Sequence, residues 1–316
     1  MVKEGDFVIN KMKSWQGSYG LSASQGIVSP AYFTYHLSFQ NKDFFSTALR
    51  SKAYIPFFMQ FSKGIRVDQW DLKPIAIKNI PFFVPPKEEQ EAIVAYLDKV
   101  TANIDKAIAA KERIIASFEE RRKIIITHAV TRGINPDAPL KDSGIDWLGQ
   151  IPAHWETRKL RFLCDIKTGD KDTIMKEDDG KYPFFVRSPK IEKINSYTFD
   201  TEAVLMAGDG AGAGGIFHYY KGKFGCHQRV YCLHNFNKDI TAKFIYQQLS
   251  TKFREVFIGL SAKSTVDSVR LPMLKDFEIA YPKLDEQQAI CQYIDSITKP
   301  IDSAITQQKK LIELLR

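Results

Sequence analysis

Apolar residues recur at Ile290, Ile294, Ile297, Ile301, Ala304, Leu311 and Leu315. This 4-3 alternation, with one step skipped, predicts a helix that presents a heptad seam. The same alternation runs earlier through Ile93, Leu97, Val100, Ile104, Ala107, Ile114 and Phe118. The residues at the skipped step are Lys111 and Gln308, polar at the same place in both runs. A polar seam position fixes register and pairing at some cost in stability; the alternative is a lysine that snorkels out of the seam. Gly133 and Asn135-Pro136 are ordinary terminators of the first helix. Two helices with one seam each most simply pack as an antiparallel pair, with Ile93, Leu97, Ile104, Ile290, Ile294 and Ile301 in the contact.

The two runs belong to a longer duplication. Residues 85–118 align without a gap on residues 282–315, at an offset of 197 and with 13 identities in 34 positions, among them Pro85/Pro282, Gln90/Gln287 and Ile115/Ile312. The segments ahead of the helices correspond more loosely, with residues 5–9 resembling 202–206 and residues 27–35 resembling 226–234. Alternating aromatic runs such as Gly215 to Tyr220 and Gln228 to Leu233 read as strands. Residues 44–52 and 242–254 read as short helices. Each half is thus an α+β globule ahead of a long helix. Residues 136–198 have no counterpart ahead of the first copy, so the first globule is expected to lack roughly its leading third. The second helix is expected to lack the counterpart of residues 121–133.

Charge refines the picture. Residues 1–82 hold ten basic and five acidic side chains, and residues 151–282 hold twenty and sixteen. Residues 87–123 hold eight of each sign, and residues 283–316 five of each. Positive charge therefore sits in the globules, where a polyanion such as nucleic acid would find it, while the helices are neutral. No apolar run approaches a membrane span, and the four cysteines form no CxxC pair. A reduced, cytoplasmic protein without membrane contact is the expectation.

Candidate catalytic chemistry is sparse. Gly210, Gly212 and Gly215 complete a G-x-G-x-x-G pattern after a predicted strand, but a β-rich run follows where a nucleotide loop needs a helix. No cofactor is expected there. Asn79-Ile80-Pro81-Phe82 departs at Ile80 from the amine-holding Asn-Pro-Pro-Phe loop of amino-methyltransferases. His218, Cys226, His227, Cys232 and His234 alternate along strands, so they do not converge as a metal site requires. No catalytic set and no metal site are expected.

Loops rich in basic, polar and aromatic residues remain, and these side-chain types anchor phosphates and touch base edges. They supply Lys11, Lys13 and Trp15, then Lys63 and Arg66, in the first globule. The second supplies Lys167, Lys171, Arg187, Arg229, Lys263, Ser264 and Thr265. Lys63 to Arg66 and Lys263 to Thr265 fall at matched places in the duplicated globules.

Several stretches resemble the specificity subunit of type I restriction–modification systems. They are Pro85-Pro86-Lys87-Glu88-Glu89-Gln90 with the helix after it, and Gly144-Ile-Asp-Trp-Leu-Gly-Gln-Ile-Pro-Ala-His-Trp155. Gly5-Asp6-Phe7, Gly26-Ile-Val-Ser-Pro-Ala-Tyr32 and His227-Gln-Arg-Val-Tyr231 add to the likeness. The resemblance implies an α+β chain with two globular target-recognition domains, each followed by a long helix, the helices packed as an antiparallel coiled-coil spacer. The expected boundaries are 1–84, 85–135, 136–282 and 283–316. It further implies that each domain reads half of a split double-stranded DNA target. Two methyltransferase subunits would dock on the helices, and a restriction/translocase subunit would join through the complex. The chain itself would not be an enzyme. An assembly protein that binds methyltransferase subunits with little DNA reading of its own is the alternative.

Overall fold

The computed structural model describes residues 1–64, 70–260 and 268–316. Arg66, Lys263, Ser264 and Thr265 lie outside the described residues. The chain divides into two compact units, residues 1–109 and 110–316, with the division inside one long helix. Among the described residues no helix is long and apolar enough to cross a membrane.

In the first unit, β1 (Phe7–Asn10) lies between β2 (Tyr19–Leu21) and β3 (Tyr32–Tyr35), antiparallel to both. Helices α1 (Lys42–Leu49) and α2 (Ile55–Phe61) follow, separate because Pro56 sits at the start of α2. A small hairpin of β4 (Ser62–Lys63) and β5 (Asp71–Leu72) leads to α3 (Pro74–Ile77) and then to α4 (Lys87–Arg132). At 1.5 Å per residue α4 is about 70 Å long. Phe7, Ile9, Tyr19, Leu49, Phe58 and Leu72 form this unit's core.

The second unit opens with the hairpin β6 (Leu140–Asp142) and β7 (Gln150–Pro152), then β8 (Glu156–Lys159). The remaining strands are β9 (Asp165–Thr168), β10 (Tyr182–Phe185), β11 (Glu192–Ile194), β12 (Phe199–Ala207), β13 (Phe217–Cys226) and β14 (Val230–His234). They form one sheet in the order β11-β10-β13-β12-β14-β9. Helix α5 (Ala242–Leu260) crosses it, and α6 (Leu271–Lys275), β15 (Glu278–Tyr281) and α7 (Leu284–Leu315) complete the unit. β12 is apolar without a break from Ala203 to Ala207 because both of its faces are covered. Val204 and Met206 join the core under α5, while Ala203 and Leu205 pack on the other side with Phe185, Phe224, Cys226 and Cys232.

The duplication is visible atom by atom. β12 is flanked by β13 and β14 just as β1 is flanked by β2 and β3. Leu72 N–H donates to the Lys11 carbonyl at 2.9 Å, and 197 residues later Val269 N–H donates to the Gly208 carbonyl at 2.8 Å. Gln90 and Gln287, both buried, donate through Nε2 to Pro85 and Pro282 at 2.8 Å. The short helices α3 and α6 also fall at matched positions.

Within the second unit the end of α4 and α7 pack antiparallel. Arg316 pairs with Glu112 at 3.5 Å at one end, and Arg122 with Asp302 at 3.1 Å further along. The two polar residues at the skipped heptad step meet each other, Lys111 Nζ donating to Gln308 Oε1 at 3.3 Å. Lys111 is therefore a pairing residue in the seam. The seam itself departs from the expected phase in one of its two columns. The buried positions of α7 are Gln287, Ile290, Cys291, Ile294, Thr298, Ile305 and Ile312, whereas Leu311 is exposed. Ile294, Ile301, Gln308 and Leu315 fit a heptad whose second column is either 297/304/311 or 298/305/312. Apolarity favours the first, but packing uses the second, with Thr298 accepted among the isoleucines. Likewise Ile115 is half-buried and Ile114 exposed. Ile301 is half-buried. On the part of α4 within the first unit, Ile93 and Ile104 are half-buried and Leu97 is exposed, against the expectation of a buried seam there.

Candidate nucleic-acid interface

In the second unit the parallel pairing of β10 with β13 brings Phe185 beside Cys226, so the residues leaving both strands emerge at one end of the sheet. His227 N–H donates to the Phe185 carbonyl at 3.0 Å, which places the turn of residues 227–229 next to Arg187. The glycine-rich loop of residues 208–215 joins β12 to β13 at the same end. Gly208 N–H donates to the Arg229 carbonyl at 2.9 Å. Lys171 is stitched in by its backbone, donating to the Cys226 carbonyl at 3.1 Å and accepting from Gln228 N–H at 2.9 Å. Four segments distant in sequence thus form one rim.

Asp209 organises that rim. Its Oδ1 accepts from Arg187 Nη1 at 2.9 Å, and its Oδ2 lies 3.7 Å from Arg229 Nε. The carboxylate is largely covered, while the Arg187 and Arg229 side chains keep 45% and 65% of their exposure. Each guanidinium is held at one edge and leaves the rest of its donor fork for an acceptor in solution. An open hollow of about 610 Å³ adjoins them, lined by Thr173, Arg187, Ser188, Asp209, Gly210 and Arg254 among others. Arg254 reaches it from α5, donating to the Ala211 carbonyl at 3.3 Å. Bidentate donors fixed in this way match phosphate oxygens or the O6/N7 edge of guanine.

His227 is buried within the rim, and its Nδ1 accepts from Arg229 N–H at 2.9 Å. Burial, and then the neighbouring Arg187 charge, push its pKa below the usual histidine value. A neutral imidazole suits that acceptor role. Burial likewise lowers His218, whose Nε2 lies 3.1 Å from the Ser188 carbonyl. The Cys226 and Cys232 thiols sit in the core on the far side of β12, Cys232 pushed up by burial to about 12.

The glycine-rich loop curls into turns and runs directly into β13. Gly214 has φ +64°, and a Cβ there would lie 3.1 Å from the Phe253 ring. Only glycine permits the loop to close this tightly on α5. Lys167 stands exposed on the edge strand β9, opposite Cys232.

In the first unit, the loop after β1 is the counterpart of the glycine-rich loop. It carries Lys11, half-buried, then Lys13, exposed, and Trp15. The Trp15 indole N–H donates to the Met12 carbonyl at 3.1 Å, and its ring meets Trp70 edge-on with centroids 5.6 Å apart. Ser14 Oγ lies 3.4 Å from Ser62 Oγ, next to the exposed Lys63. Lys13, Trp15 and Lys63 therefore share one edge of the unit. Sequence reasoning missed Asp209 and Arg254. Asp209 had a signal, since it is the sole charge inside the glycine run; Arg254 had none, because the rest of its helix is read from the core side.

A family model described as the type I restriction modification DNA specificity domain matches residues 152–314. The chain is 30% identical over 168 residues to the type I restriction enzyme EcoDI specificity subunit of Escherichia coli, a stretch covering 53% of this chain and 36% of that protein. It is 25% identical over 280 residues to the MjaVIII specificity subunit of Methanocaldococcus jannaschii, covering 78% and 61%. The matches thus span between about a third and three fifths of these relatives. Among solved structures, a chain from a study of complex assembly and conformational transition of the type I R-M system has a TM-score of 0.70 at 18% identity. That match covers 99% of this chain and 79% of the other. The HsdS subunit from Thermoanaerobacter tengcongensis gives 0.50 at 16% identity, covering 99% and 80%. These two likenesses concern the fold.

Proposed function

The chain belongs to the type I restriction–modification DNA specificity family, and from that premise we propose that it reads double-stranded DNA through the rim of its second unit. The convergence of Arg187 and Arg229 on Asp209 beside the glycine-rich loop carries this reading. Two partly exposed guanidiniums, pre-oriented by one carboxylate, meet a base edge with little side-chain entropy left to lose. The Lys13, Trp15 and Lys63 edge of the first unit serves the other half of a split target. Lysines there act chiefly on phosphates, since an ammonium is a point charge without the planar fork of arginine. The neutral helices α4 and α7 dock two methyltransferase subunits, and through them a restriction/translocase subunit. Methylation, translocation and cleavage belong to those partners; this chain contributes no catalytic group.

The test is a binding titration of the chain assembled with methyltransferase subunits, at several salt concentrations. Arg187→Ala and Arg229→Ala are each expected to cost about 1–3 kcal/mol on the preferred sequence and far less elsewhere. Lys63→Ala is expected to weaken all sequences alike and to lower the salt slope by about one. Wild-type affinity and preference in both arginine variants would overturn the assignment of the rim.

A further inference from the structure

The loop between β9 and β10 brings an exposed apolar residue to the polar rim of the second unit. Its tip is a single 3-10 turn, Thr173–Met175, in which Ile174 is 88% exposed. A solitary surface isoleucine on a loose loop would need no explanation. This loop is clamped at both ends. A Cβ at Gly169 would lie 1.9 Å from the Cys226 carbonyl oxygen, so only glycine lets the loop lie this close to the end of β13. Asp170 Oδ1 accepts from Thr198 Oγ1 at 2.6 Å, and Lys171 is bonded to residues 226 and 228 through its backbone. At the far end Glu177 N–H donates to the Lys193 carbonyl at 2.9 Å.

Asp172 ties the tip to the reading group. Its Oδ1 accepts from Ile174 N–H and its Oδ2 from Gln228 Nε2, both at 3.1 Å. Gln228 immediately precedes Arg229, and Thr173 lines the hollow beside Arg187 and Asp209. That hollow is not wholly polar, since Val186, Pro189 and Ile216 line it as well. The arginine forks fit the O6/N7 edge of guanine, which faces the major groove, and the apolar mark on a base edge in that groove is the thymine 5-methyl group. Apolar wedges that unstack base steps work instead from the minor groove. A tip held by its own backbone also makes an apolar contact with little ordering entropy left to lose.

Granted that the rim reads DNA, we infer that Ile174 is a specificity-determining residue that contacts a thymine 5-methyl group, in the same half-site as the guanine met by Arg187 and Arg229. The half-site read by the second unit therefore contains a T·A pair close to a G·C pair.

The probe is the duplex that the chain, assembled with methyltransferase subunits, prefers in selection. Each thymidine is replaced in turn by deoxyuridine, which removes the methyl group and keeps every hydrogen-bonding group of the base. One replacement, in the block that the arginine variants relax, is expected to weaken binding about fourfold, the effect of one methyl group returned to water. Ile174→Ala, a truncation at an exposed site, is expected to weaken the thymidine duplex by at least that factor. On the deoxyuridine duplex the variant should match the wild type within about twofold, because the two changes remove the same contact. A block without thymine, deoxyuridine tolerated at every position, or an equal loss by Ile174→Ala on both duplexes would each overturn this role of Ile174. Relaxed preference in Arg187→Ala and Arg229→Ala would then show that the rim still reads DNA. Wild-type preference in both arginine variants would instead remove the reading itself, and the role of Ile174 with it.

Discussion

Trp155→Ala is expected to destabilise the second unit by about 3–5 kcal/mol and to leave the first unit unchanged. The indole is completely buried, packs at a steep angle on Phe244 with centroids 6.0 Å apart, and donates to Glu286. Truncation removes the transfer energy of the ring and opens a cavity that the surrounding helices and strands fill only in part. It also strips Glu286 of one of its donors. Trp155→Phe keeps most of the apolar contact and loses the hydrogen bond, so a loss of about 1–2 kcal/mol is expected. Amide exchange distinguishes the units directly: protection in β12 and β14 should fall by the full amount while β1 is unaffected. Equal loss in β1, or none in β12, would contradict this account of the core.

Gln287→Leu is the second large effect, about 3 kcal/mol or more at nearly constant side-chain volume. Gln287 is fully buried at the first turn of α7. Its Nε2 donates to the Pro282 and Asp239 carbonyls, both at 2.8 Å, and its Oε1 accepts from Thr241 N–H at 2.8 Å. One amide therefore joins the end of β15, the start of α5 and the start of α7. Leucine would strip the buried Pro282 carbonyl and the half-buried Asp239 carbonyl and Thr241 N–H of this partner, a loss of about 1–3 kcal/mol for each group left unsatisfied, less whatever water or a backbone shift recovers. Chemical denaturation followed by exchange in β15 and α5 measures it. A loss under about 1 kcal/mol would show that the site relaxes and that the glutamine is not a structural joint.

The duplication, the two long helices and the glutamine at the start of each were legible because they rest on local, periodic signals. An offset of 197 and a heptad need no knowledge of distant contacts. The phase of the seam was less legible for the same reason. Ile297, Ala304 and Leu311 are as apolar as their neighbours, and only the approach of a second helix selects Thr298, Ile305 and Ile312. The rim was legible as a set of basic loops, but Asp209 acquires its role from strand order. The parallel pairing of β10 with β13 and the turn into β14 bring residues 187 and 229 to one carboxylate. No spacing rule expresses that arrangement.

The most direct measurement of DNA reading is a selection of bound duplexes from a randomised pool, using the chain assembled with methyltransferase subunits. The wild-type chain should enrich two short sequence blocks at a fixed spacing. The double variant Arg187→Ala/Arg229→Ala should retain one block and lose or relax the other, because only the rim of the second unit has been altered. Two unchanged blocks in the double variant, or no enrichment by the wild type, would contradict the account.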